Sequence, residues 1–183
     1  ESVAVNGCCL TVVASDPFGV RLTATGTNGT IDGGVVVNTP TPTTVVEPTP
    51  TVAPVGCTAG VCVNVGTAVA TGAKVSIDVV VTGNNVGGAQ NDILFDTTKV
   101  NLPSATACKI NAEIGTSAAG CEEDPVTGAC KTLSRNLASC GASPTPPGCE
   151  GQPATVIRFR GIVAATAVPN NNAIPDGSVL FTC

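Results

Sequence analysis

The stretch KVSIDVVVTGNNVGGAQNDILFDTTKVNL, Lys74 to Leu102, decides the fold class. Val75, Ile77, Val79 and Val81 are apolar at every second position, with Lys74, Ser76, Asp78 and Thr82 set between them. Period two is the signature of a strand with one buried face. Gly83, Asn84 and Asn85 break that strand, and Gly87-Gly88 follows. A second strand is expected from Ala89 to Phe95. Asp96-Thr97-Thr98 ends it through side-chain to backbone bonding. Val100 and Leu102 resume the apolar pattern.

The wider composition agrees. Apolar residues make up 43% of the 183-residue chain, but Trp, Tyr, Met and His are absent. Phe stands only at 18, 95, 159 and 181, and all four read as core. The core must otherwise be built from Val, Ala, Ile and Leu, which suit a pleated sheet. Helix formers are scarce. An all-β chain is expected, with Val75, Ile77, Val79, Val81, Ile93, Phe95, Ile157, Phe159, Val179 and Phe181 in the core.

Charged residues amount to 11%, with a net charge of −5. Nothing in that balance neutralises phosphates, so nucleic acid is not an expected partner. No apolar run approaches the roughly 18 residues that span a bilayer, so membrane insertion is not expected. The first residue is Glu1 rather than Met, as in a processed protein.

Ten cysteines stand at Cys8, Cys9, Cys57, Cys62, Cys108, Cys121, Cys130, Cys140, Cys149 and Cys183. An even count, with no His and no C-x-x-C pair, favours disulfides over zinc. The protein is therefore expected outside the cytoplasm. Cys57 and Cys62 bracket a short loop and are expected to bond to each other. Cys8 and Cys9 are adjacent on a strand, point to opposite faces and need different partners.

Three parts are expected along the chain. Residues 1–37 read as short strands, with a turn at Ser15 to Gly19. Asn28-Gly29 reads as a hairpin turn, and Asn28-Gly29-Thr30 is also a glycosylation acceptor. Residues 38–56 form a Pro/Thr-rich linker, extended to about 50 Å as polyproline II. Residues 57–183 form the main module. Within it, 103–153 has poor periodicity and five cysteines, and is expected as an insertion pinned by disulfides. A short helix is expected from Lys131 to Ser139.

No catalytic constellation is expected. Without His the common general base is missing, and no G-x-S-x-G motif is present. Asp92 and Asp96 are the nearest approach to paired carboxylates. Four residues apart on one strand, they would lie ~13 Å apart, wide for glycoside chemistry. They read instead as strand-end and turn-capping groups. Glu122-Glu123-Asp124 lacks the alternating spacing of a calcium loop. Arg158 and Arg160, flanking Phe159, read as cover for an outer sheet face. No cofactor and no metal are expected.

The order of motifs carries a resemblance. A strand, a Gly/Asn turn, G-A-Q-x-D-I-x-F-D from Gly88 to Asp96, and a T-K-V-x-L step from Thr98 to Leu102 resemble the opening of a bacterial or archaeal cohesin-like module. Ile174-Pro175-Asp176-Gly177-Ser178-Val179-Leu180-Phe181 is similar to a late turn and strand of that module, and Val156 to Val163 to its inner strand. The resemblance implies a jelly-roll β-sandwich exported to the cell surface, where such modules dock proteins. Ala14 to Leu22, A-S-D-P-x-G-V-x-L, resembles the closing strands of the same module. The chain thus presents the end of a module before its beginning.

Two functions follow as expectations. The first is a structural subunit of an extracellular fibre, sheath or surface array, joining copies of itself head-to-tail by strand exchange. The alternative is a docking module for another exported protein. In the first, residues 1–37 would supply the strands missing beside 178–183, otherwise an open edge, either folding back in cis across the linker or inserting into the next subunit. The cysteine reading has its own test: thiol titration of denatured, unreduced protein should find no free thiol. Several free thiols would overturn the disulfide framework.

Overall fold

The computed structural model describes residues 2–4, 13–27, 30–32, 60–66, 68–71, 73–116, 129–165 and 172–183. The described strands begin with β1 (Ser2–Ala4), β2 (Val13–Ser15), β3 (Arg21–Leu22), β4 (Ala24–Thr27) and β5 (Thr30–Asp32). Next come β6 (Val61–Val65), β7 (Val69–Thr71), β8 (Lys74–Ser76), β9 (Asp78–Thr82) and β10 (Gly88–Asp96). The last are β11 (Lys109–Ile110), β12 (Lys131–Ser139), β13 (Val156–Ala165) and β14 (Val179–Thr182). A 3-10 turn at Ala105–Ala107 interrupts the strands, and no α-helix occurs among the described residues.

Two five-stranded sheets carry the fold. One has the order β12-β13-β10-β2-β3, the other β11-β14-β9-β6-β4. Pairing within them is antiparallel except for β4 beside β6, which is parallel. Ala89, Ile93, Phe95, Leu133, Phe159 and Val163 of the first sheet share one core cluster with Val63, Val79, Val81 and Phe181 of the second. The two sheets therefore face each other as a β-sandwich. Of the ten expected core residues, seven are buried, and Val75, Ile157 and Val179 are half-buried.

Several expectations are corrected. Lys131–Ser139 is a strand, not a helix. Its apolar residues Leu133 and Leu137 are four apart, a spacing that fits either element. Nine residue pairs with β13 supply the ladder that decides. The 103–153 stretch is accordingly not a bare insertion: β11 joins one sheet and β12 the other. The strand expected over Lys74–Thr82 divides at Ile77, because β8 pairs with β7 in a separate ribbon. Ile77 itself exchanges both backbone bonds with Cys183, at 2.9 Å each.

The strand at 178–183 is not an open edge. β14 lies between β9 and β11, and Cys108 is bonded to Cys183. Residues 13–27 do complete the sandwich, but within the same chain and elsewhere. β2 pairs with the start of β10, and β4 with β6. The sandwich thus begins at residue 13 rather than 57. β4 and β5 flank Asn28-Gly29 but do not pair with each other, since β5 pairs with β1. That contradicts the expected hairpin. Cys8, Cys9, Cys57, Cys121, Asn28 and the 38–56 linker lie outside the described residues.

Aromatic packing sets the spacing between sheets. The rings of Phe159 and Phe181 sit 5.7 Å apart, tilted by 56°. Phe181 also lies directly over Gly161, where an added Cβ would come within 2.7 Å of its ring. Gly161 thus leaves the space that Phe181 fills. Gly161→Ala should cost about 1–3 kcal/mol by overpacking. Denaturant unfolding checks it, and a midpoint equal to wild type would show that the ring can move aside.

Candidate functional site

The outer face of the first sheet carries the salt bridge found among the described residues. Even-numbered residues of β10 and β13 point that way. Asp92 pairs with Arg160 across the ladder, and Leu94 with Arg158. Arg160 grips Asp92 with two parallel bonds, Nε to Oδ1 and Nη2 to Oδ2, each 2.6 Å. The Asp92 side chain is 0% exposed and that of Arg160 22%. Bidentate geometry and shielding make this a strong pair. The bonds to Asp92 raise the Arg160 pKa further above its already high value.

A loop closes over this face. Cys140 and Cys149 are disulfide-bonded, and they pack with Leu94 and Val156 in a small cluster of their own. Gly148 lies so near Asp92 that a Cβ there would sit 2.9 Å from Oδ2. Its φ of +89° also favours glycine. Arg158, buried, donates from Nη1 to the Pro147 carbonyl and from Nη2 to Asn136 Oδ1. One guanidinium thereby ties loop, β13 and β12 together.

That bracing matters for β12, which is the last strand of its sheet. Lys131 N–H donates to the Ile114 carbonyl at 2.7 Å, away from β13. Backbone groups alternate sides along an antiparallel strand. Leu133, Arg135, Leu137 and Ser139 therefore turn their N–H and C=O groups outward as well. Only Gly115, opposite Lys131, bridges to that side among the described residues. Among the described residues no strand pairs with the outer side of β12 from Thr132 to Ser139, and Asn136–Arg158 braces the strand from the sheet's outer face.

The expected site residues distribute as follows. Cys108–Cys183 and Cys140–Cys149 are disulfides, and Cys62 and Cys130 are disulfide-bonded too. Two disulfides of this kind fit an oxidising, non-cytoplasmic setting. The expected Cys57–Cys62 pairing falls outside the described residues. Asp96 caps its turn as expected, accepting from Thr98 N and Oγ1 at 3.0 and 2.7 Å. Those two bonds hold its carboxyl below the usual range. Asp92 is not a strand-end group but the buried anchor of Arg160. Arg158 and Arg160 do lie on the outer face, as bracing rather than simple cover.

Two features were not anticipated. Phe18, read as core, is 90% exposed at the tip of the β2–β3 turn. Lys131, read as part of a short helix, is fully buried in a strand. Among the described residues no cluster of Cys, Asp and Glu could hold a metal, and no helix is long and apolar enough to cross a membrane. No family model, characterised protein or solved structure matches this chain.

Burial pushes the Lys131 ammonium down from 10.5 to about 8. The unfolded chain keeps that proton up to roughly pH 10.4. Between those values the unfolded state binds more protons, so stability must rise with pH. The chain has no His or Tyr to mask the effect. The denaturant midpoint of the fully oxidised protein should climb from pH 7.5 to 10, worth up to about 3 kcal/mol. A flat profile would mean that the ammonium is better solvated than its burial implies.

Proposed function

We propose that the protein is a non-enzymatic structural subunit of an extracellular fibre or surface array, joined head-to-tail by strand addition. The open edge of β12 carries this reading. The outward backbone groups of Leu133, Arg135, Leu137 and Ser139, without a strand partner among the described residues, form a template for another strand. Only Lys131 and Arg135 are charged along β12, and Lys131 is buried, so the edge is thinly defended against pairing.

The donor is the β1–β5 ribbon of a neighbouring copy. This ribbon belongs to neither large sheet. A two-stranded ribbon alone is marginal in water and gains stability by joining a third strand. Residues 13–27 serve their own sandwich, so exchange is confined to the segment outside it. Addition of ribbon to edge is heterologous and does not close on itself, which yields a filament. The disulfides and the all-β core suit a load-bearing subunit outside the cell. The cohesin-like resemblance supports export and surface location, and its docking role is the alternative.

Arg135→Pro tests the edge. The Arg135 N–H faces away from β13, so proline there spares the sandwich's own ladder and blocks the incoming strand. Asn136→Pro, one residue on, should break the β12–β13 ladder and serve as the unfolding control. Electron microscopy and sedimentation of Arg135→Pro should show folded protein without filaments. Filaments that persist would overturn strand addition at this edge. Wild-type protein that stays monomeric at high concentration yet binds another exported protein through β12 would favour the docking role.

A further inference from the structure

We draw no further inference here: the strongest candidate, the apolar surface patch that Phe18 and Val20 expose on the turn at the β2–β3 end of the first sheet, carries nothing because nothing in the structure shows what covers it.

Discussion

The contact between Phe181 and Gly161 ties the two sheets together. A ring from the second sheet rests on the backbone of the first, which is feasible only because residue 161 has no Cβ. The rest of the interior is mostly Val, Ala, Ile and Leu. Phe159 completes the contact, its ring tilted by 56° to that of Phe181. Placing Phe181 there requires β14 to run inside its sheet, and the ladder shifts register between Val179 and Phe181. The Cys108–Cys183 bond then anchors the end of β14 to the start of β11, closing a loop of 75 residues in sequence.

The opposite face of the first sheet is organised by charge rather than by aromatic packing. Asp92 is shielded from water and answered in full by Arg160. Removing either partner alone would strand a buried charge, the costly case for such pairs. Arg158, one ladder step away, reaches loop and edge strand together. The two arginines and the Cys140–Cys149 bridge turn a Gly-, Ser- and Pro-rich segment into a fixed lid. That lid supports β12, the last described strand of its sheet.

The two ends of the first sheet differ in kind. At β12, the last described strand, alternate backbone groups face away from β13. At the β2–β3 end the exposed residues are Phe18 and Val20. The strand addition proposed above would use the first end, and its geometry would be set by ladder register.

Residue order by itself determined the all-β class, the alternating core residues of β9, β10, β13 and β14, the turns at Asp16 and Asp96, and the abundance of disulfides. Each of these is local: a strand's buried face, a carboxylate two residues from the N–H it caps, a cysteine count. Tertiary structure alone decided which strands meet. Leu133 and Leu137 fit a helix or a strand until β13 supplies a ladder. The Asp92–Arg160 pair joins groups 68 residues apart, and only the register of β10 against β13 brings them level. Phe18 has the composition of a core residue and the position of a knob, because the short β2–β3 turn ends beyond the sheet. Side-chain periodicity is written along the chain. Partner, register and exposure arise from long-range pairing, whose loop-closure cost and packing gain no single stretch contains.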